Sequence, residues 1–544
     1  MKKTKIICTV GPSTDVPGVL EAMLEAGMNV ARFNFSHGTH EDHSRRIAMV
    51  RAASSKVNKP VALLLDTKGP EMRVGNFAEG KVYLEEGQRF VLTTRDIVGT
   101  KDMVSVNHIL LPQEVSPGVK ILLSDGLIAL RVDAVEGQDI ITTVLNSGDI
   151  SNRKRVAVPG VAVNLPFLSE QDITDILFGA RHNMDFIAAS FVQRAADILA
   201  IRRVLEDANV TMDIIAKIEN AEGVHNIDEI LKVVDGVMVA RGDLGVEIPT
   251  EEVPIVQKLL IEKCNKAGKP VITATQMLES MLSNPRPTRA EASDIANAIM
   301  DGTDVIMLSG ETASGQYPVE AVLTMAKIAI RTEESLSYSS LLLSRGISPQ
   351  RSSTDAISHA TVQVAHELNA AAIVTASERG YTPRMVSKYR PQAPIVAVTQ
   401  HEKTVRRMQL LWGVQAVQGI ESKNSDDMVH NAVNSALTAG SVKEGDLIVI
   451  TAGVPIGMSG TTNMLRVYVV GNVLLKGTGI GQRAVTGKVC IAQSVKDIQQ
   501  KFKPGDVLVV ASVDEETASY AAKASAIIAE VGGLTSHAAV IGIS

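Results

Sequence analysis

The chain has 544 residues, 54 of them lysine or arginine and 60 aspartate or glutamate, for a net charge of -6. That balance excludes a broad nucleic-acid or anionic-membrane surface as the main partner and still allows a local basic pocket, while 45% apolar and 21% charged residues exclude a mainly disordered chain. The length exceeds what one core serves, so three or four domains are expected, and three scattered cysteines, Cys8, Cys264 and Cys490, without metal-ligand spacing suit a reducing compartment such as the cytoplasm.

In chain order, the N-terminal apolar run is too short for a signal sequence, and no run elsewhere reaches the length of a membrane span. Strand-like runs then alternate with helix-length segments: Lys5 to Val10, Asn29 to Phe35, Val61 to Thr67, Phe186 to Phe191, Ile214 to Glu219, Gly236 to Asp243, Pro270 to Gln276 and Asp304 to Gly310. Amphipathic stretches such as Val19 to Ala26 and Val253 to Ala267 separate them, and eight such βα units predict an α/β chain built on a closed (β/α)8 TIM barrel over residues 1–69 and 160–335. Polar residues end nearly every run, which favours a barrel rim over the single switch point of an open sheet.

The rhythm breaks between residues 70 and 159, where short alternating runs such as Phe90-Val-Leu-Thr-Thr and Ile140-Ile-Thr-Thr-Val-Leu read as a small β domain inserted after the third barrel strand. At the C-terminal rim it would act as a lid that excludes water. A Ser-rich linker near Ser335 to Ser353 leads to a second α/β domain, residues 354–472, with strands expected at Ala371 to Thr375, Ile395 to Thr399, Leu447 to Thr451 and Val467 to Val470. Residues 477–544 change to Gly-rich turns and short strands, ending near Gly532-Gly-Leu-Thr-Ser-His537.

Chemistry gathers at the run ends. Lys217 and Glu219 end one run, and Arg241 and Asp243 the next, so two carboxylates and a lysine stand where a barrel enzyme holds a divalent ion beside a developing anion. Asn34, Ser36, Asp66 and Thr67 offer oxygens to a hard cation, and Arg32, Arg73 and His37 offer donors to phosphate oxygens. A metal-dependent barrel aldolase or lyase, or a phospho-ligand-binding regulator, remains open on these residues alone.

The stretches Met28-Asn-Val-Ala-Arg-Phe-Asn-Phe-Ser-His-Gly, Leu65-Asp-Thr-Lys-Gly-Pro-Glu, Lys217-Ile-Glu-Asn, Met238-Val-Ala-Arg-Gly-Asp-Leu-Gly-Val-Glu and Ile272-Thr-Ala-Thr-Gln-Met together closely resemble the pyruvate kinase family. The resemblance covers residues 1 to about 472. It implies a glycolytic phosphotransferase that moves the phosphoryl group of phosphoenolpyruvate to ADP, giving ATP and pyruvate through an enolate that is then protonated. Residues 477–544 resemble the mobile phosphohistidine domain of phosphoenolpyruvate-utilising enzymes, which pyruvate kinases of some Gram-positive bacteria carry. His537 matches its histidine, and the chain stops at Ser544, before the strands expected to complete it.

Carried over residue by residue, the resemblance implies Mg2+ or Mn2+ at Glu219 and Asp243, and K+ at Asn34, Ser36, Asp66 and Thr67, with Glu71 matching the potassium-dependent form. Arg32 and Lys217 would hold the transferring phosphate, Gly242, Asp243 and Thr275 would bind substrate, and Thr275, Ser309 and Glu311 would serve protonation. Asn34, His37, Arg73 and Lys154 would meet the nucleotide, and Ser377, Arg379, Thr382 and Arg384 a phosphorylated effector, with Glu378 as a repulsive neighbour. A homotetramer is implied. The lid hinge departs from the pattern, since Arg155 stands at a glycine and Ala157 at an asparagine position, which changes hinge geometry. The single tryptophan, Trp412, is expected to pack rather than bind.

Overall fold

Eight short apolar runs form the parallel strands of a closed barrel: Lys5–Thr9, Val30–Asn34, Ala62–Asp66, Phe186–Ala189, Asp213–Ile218, Gly236–Ala240, Val271–Ala274 and Val305–Leu308. In this computed structural model residues 2–161, 163–338, 352–454, 460–471, 477–481 and 485–543 are described. The strands follow one another around the ring, which closes where Lys5 pairs with Val305 and Cys8 with Leu308. Ile6, Ala31, Leu63 and Leu65 face the surrounding helices, while Ile7, Val30, Leu64, Ile215 and Met238 fill the interior. Full burial of one such aliphatic side chain stabilises the fold by about 1.5–3 kcal/mol.

The two-residue period of a strand carries this division to the rim. Thr9, Arg32, Asp66, Ser190 and Lys217 each stand two positions after the inward-facing Ile7, Val30, Leu64, Ala188 and Ile215. The groups that crown the interior are therefore polar. Helices between strands are bounded by side-chain caps: Thr39 accepts from the Asp42 amide at the start of His40–Val57, and Thr288 from the Glu291 amide at the start of Arg289–Asp301, which ends at Gly302 with φ 109°.

Between the third and fourth barrel strands lies the inserted β domain. Its seven-stranded sheet runs from the Met72–Arg73 strand through Arg155–Ala157, Lys120–Leu123, Ile128–Glu136, Asp139–Val144 and Arg89–Thr93 to Met103–Ser105. Its core is separate from the barrel's and includes Phe90, Leu92, Ile121, Leu130 and Ile140. The chain leaves the barrel through Gly69, whose φ of +70° favours glycine and whose Cβ, if present, would lie 2.8 Å from that of Ser190. The entering strand Met72–Arg73 and the returning strand Arg155–Ala157 pair antiparallel, Arg155 opposite Arg73.

Within the expected linker, residues 339–351 lie outside the described residues, and Ser353 already opens a helix, Ser353–Glu367, capped by Ser352. The following sheet has five strands, not four, in the order Val414–Gln418, Ile395–Thr399, Ala372–Ala376, Leu447–Gly453, Thr462–Val469. The additional strand, Val-Gln-Ala-Val-Gln, is an edge with one fully buried residue, Val414, so its apolar signal is weak. Trp412 is buried, with the Arg390 guanidinium 4.9 Å from its ring centroid.

The chain divides into two compact units, residues 1–442 with 447–468, and residues 443–446 with 469–544. The second unit has a three-stranded parallel sheet, Val489–Ile491, Val507–Val510 and Ala526–Ala529, over a small core of Cys490, Ile498, Leu508 and Val510. His537 is exposed at the start of helix His537–Ile543, and Ser544 lies outside the described residues. No helix among the described residues is long and apolar enough to cross a membrane.

Candidate active site

The site is a ring of charge at the C-terminal ends of the barrel strands. Arg32, on the second strand, donates from Nε to Asp66 Oδ2 at 2.6 Å and from Nη1 to Thr9 Oγ1 at 2.8 Å. Asp66, on the third, is also met by Lys217 Nζ from the fifth at 2.9 Å. Lys217 reaches Ser190 Oγ at 2.7 Å and lies 3.1 Å from Glu219 Oε1. All four charged side chains are buried. Burial pushes Asp66 up, but Arg32 and Lys217 outweigh it and hold the carboxyl below its ordinary range. Burial pulls Lys217 down, and Asp66 and Glu219 more than reverse it, so the ammonium stays charged. Burial also drives Glu219 up, against the opposing field of Lys217.

Glu219 Oε2 accepts the Phe191 amide at 2.6 Å, while its buried Oε1 has no hydrogen-bond donor apart from the ion-pair contact with Lys217. A buried carboxylate oxygen without a hydrogen bond suits a hard cation. Phe191 holds φ at 56°, and Thr275 and Gln276, after the seventh strand, stand at 66° and 55°. Three non-glycine residues in this region on one rim indicate strain concentrated where function needs fixed geometry.

Helix Arg241–Glu247 starts directly at the sixth strand's end. Arg241 donates to Asp294 at 2.7 Å and to the Thr275 carbonyl at 2.7 Å, which fixes the turn. The Gly242 amide, expected to face substrate, donates to Thr275 Oγ1 at 2.8 Å. Asp243 carries an ion pair with Arg155, which comes from the returning strand of the inserted domain. Among the described residues there is no group of three or more His, Cys, Asp or Glu that could hold a metal ion; Glu219 and Asp243 are a set of two carboxylates, near enough that the charge of Asp243 pushes Glu219 up. Such a set is what Mg2+ uses when substrate oxygens and water complete its shell.

After the eighth strand, Glu311 accepts the Ser309 amide at 2.7 Å and the Leu278 amide at 3.1 Å. Both its oxygens are thus engaged with backbone, while Ser309 Oγ is buried without a hydrogen-bond partner. Asn34 and Asp66 are register partners on neighbouring strands, and Asn34 Oδ1 accepts the Ser36 amide at 3.1 Å. Thr67 Oγ1 accepts the Ser190 amide at 3.1 Å, so Thr67 and Asp66 border the ring, with Asn34 next to Asp66 on the neighbouring strand. Ser36 and His37 are exposed, and Arg73 forks onto Glu71 at 2.6 and 2.9 Å.

In the hinge, two neighbouring cations take opposite sides of the strand. Lys154 is exposed, whereas the next residue, Arg155, is buried against the rim, as strand alternation requires. Arg155 lines a cavity of about 420 Å³ between lid and barrel together with Glu71, Phe191, Glu222 and Glu247. Ser190 and Phe191 were missed from sequence, and Arg155 was read only as a departure in the hinge. Only Arg155 carried a signal, a cation opening the otherwise apolar Val-Ala-Val run.

In the third domain, Ser377, Arg379 and Thr382 line a cavity of about 140 Å³ with Glu378 and Thr399. Arg384 does not join them. Two residues beyond Thr382 on helix Tyr381–Lys388, it takes a different face and lines a small cleft with Lys269 and Arg390.

Comparison with known proteins agrees with this architecture. Residues 1–322 match the family described as "Pyruvate kinase, barrel domain", residues 355–468 "Pyruvate kinase, alpha/beta domain", and residues 502–544 "PEP-utilising enzyme, mobile domain". Among curated relatives, a pyruvate kinase of Geobacillus stearothermophilus is 55% identical over all of this chain and 93% of its own length. One from Staphylococcus epidermidis is 50% identical over the same shares. A crystal structure of a pyruvate kinase from Cryptosporidium parvum superposes with a TM-score of 0.82 at 39% identity, covering 86% of this chain and 96% of that one. On its sequence and on its fold, the chain belongs to the pyruvate kinase family.

Proposed function

We propose that the barrel rim carries out the family's reaction, transfer of the phosphoryl group of phosphoenolpyruvate to ADP, with the roles divided as follows. The observation that carries this reading is the meeting of Lys217 with Asp66, Ser190 and Glu219, beside Arg32, in one buried ring. Two fixed cations, backed by a carboxylate, favour the charge on a transferring phosphoryl group and on the enolate oxygen left behind. Because the cations are already positioned, little reorganisation accompanies the reaction.

Glu219 and Asp243 would hold Mg2+ or Mn2+, which when bound supplies electrophilic stabilisation of the enolate and phosphate oxygens. Asn34, Ser36, Asp66 and Thr67 would hold K+, a fit supported by the pairing of Asn34 with Asp66. Substrate carboxylate replaces Thr275 as the acceptor of the Gly242 amide. The Thr275 hydroxyl, which donates to the Ala274 carbonyl at 2.7 Å, then turns its proton towards the enolate, and the partnerless Ser309 hydroxyl is the next member of a proton path. Glu311 positions that path through the Ser309 amide rather than as an acid. Arg73, His37 and Asn34 meet the nucleotide from the open side, with exposed Lys154 as a peripheral cation. The third-domain cavity, with Ser377, Arg379 and Thr382, takes a phosphorylated effector, the assembly is a homotetramer and the compartment is the cytoplasm.

The test is pyruvate formation from phosphoenolpyruvate and ADP with Mg2+, with and without K+, for the parent and Lys217→Met. The expected result is K+-stimulated turnover whose kcat falls by about 10²–10³-fold in the variant. Equal turnover in both proteins would remove Lys217 from the chemistry.

A further inference from the structure

Arg155 belongs to the lid by its backbone and to the barrel by its side chain. Its strand pairs with Met72–Arg73, and its carbonyl accepts the Ser124 amide at 3.1 Å, so the main chain is anchored in the inserted sheet. The side chain crosses the cleft. One guanidinium nitrogen meets Asp243, another lies 3.5 Å from Glu247, and the group stacks 4.8 Å from the Phe191 ring centroid. The residue is 7% exposed, which for a long cation means that it is held, not draped on the surface. Phe191, strained at φ 56°, gives its amide to Glu219, so the aromatic face under Arg155 and the orientation of Glu219 are fixed by one residue.

The charges explain why a cation sits there. Glu219, Asp243, Glu247 and Glu71 all act on the Arg155 guanidinium; Glu71 is already paired with Arg73 at 2.6 Å, and Lys217 is already shared between Asp66 and Glu219. Without a further positive charge Asp243 and Glu247, one turn apart on helix Arg241–Glu247, would stand side by side as like charges in a partly desolvated site. The guanidinium fork bridges both carboxylates, a geometry that a lysine ammonium cannot reproduce.

We propose that Arg155 is a resident counter-cation of the divalent-metal site, one that occupies Asp243 and latches the lid hinge to the barrel rim until the metal ion displaces it. This rests on the assignment of Glu219 and Asp243 as metal ligands. Metal entry then requires Arg155 to leave Asp243, which lowers apparent metal affinity and couples ion binding to movement of the Arg155–Ala157 strand. The released guanidinium faces the 420 Å³ cleft, where Glu247 still holds it. Arg155 is thus a positioning residue that sets metal affinity from the lid.

The experiment measures Mn2+ binding to the full chain without substrates, from the electron paramagnetic resonance signal of free Mn2+. Arg155→Met should bind Mn2+ on the order of tenfold more tightly than the parent, the factor expected when a competing charge-assisted contact is removed. Arg155→Lys, which keeps the charge but reaches one carboxylate, should gain less. An arginine with only a structural role predicts no gain, so unchanged or weaker binding in a folded Arg155→Met protein overturns the proposal. Hydrogen–deuterium exchange supplies a readout on the parent alone: Mn2+ should raise exchange across residues 153–158, and unchanged exchange there also overturns the latch. Asp243→Asn separates the two readings, because Mn2+ binding that survives this change refutes the metal assignment itself, and with it the competition.

Discussion

Asp66 shows how much one residue can organise. It balances two buried cations, and its register with Asn34 ties the phosphate side of the ring to the proposed monovalent site. Replacing it with asparagine leaves Arg32 and Lys217 buried without their shared counter-charge, and removal of one partner from a buried pair costs about 3–5 kcal/mol. Asp66→Asn is therefore expected to lower the urea midpoint strongly at neutral pH. The pH dependence has a definite sign. The folded pKa of Asp66 is depressed, so its contribution is present above the unfolded value of about 3.9 and is lost as pH falls through the lower folded value. Unfolding curves through the acid range should show a flatter acid limb in the variant, and parallel limbs would contradict this account.

At the scale of elements, the first barrel strand is fastened at its other end by a lysine cluster. Glu333, at the end of helix Pro318–Glu334, accepts the Lys3 amide at 2.8 Å and the Thr4 amide at 2.6 Å, and Lys5 Nζ reaches the Val414 carbonyl at 2.6 Å. Burial pushes Lys5 down to about 8, with Glu333 opposing. The cost of keeping that ammonium charged is fully present below pH 8 and is relieved as pH rises towards the ordinary 10.5, because there the unfolded chain retains a proton that the folded one has released. Thermal melts across that window should show Lys5→Met with a smaller rise in Tm than the parent. An equal rise would move the effect to its neighbours Lys2 and Lys3, which burial also lowers. The same Lys5 contact holds the edge strand Val414–Gln418, the element whose apolar pattern was too weak to read.

For the whole molecule, the two compact units have cores of their own, and every rim group lies in the first. Deleting residues 469–544 is accordingly expected to leave pyruvate formation at the same order as the parent, measured with the same assay. Loss of turnover in a chain that still melts cooperatively would give the second unit a part in catalysis.

Period-2 and period-3.6 patterning determined the eight barrel strands, the inserted β sheet and four of the five strands of the α/β sheet that follows. The same alternation, continued from the core, puts Arg32, Asp66 and Lys217 on the inner face of the rim. These features are local, because a strand's burial pattern is written in its own side chains. Only the tertiary structure decided that Arg155, not Lys154, enters the cleft, that Arg384 turns away from the cavity holding Thr382, and that Phe191 and Ser190 complete the ring. Alternation and helical spacing say that neighbours point to different sides, but which side faces a site depends on the surface packed against it. That surface comes from residues dozens to hundreds of positions away.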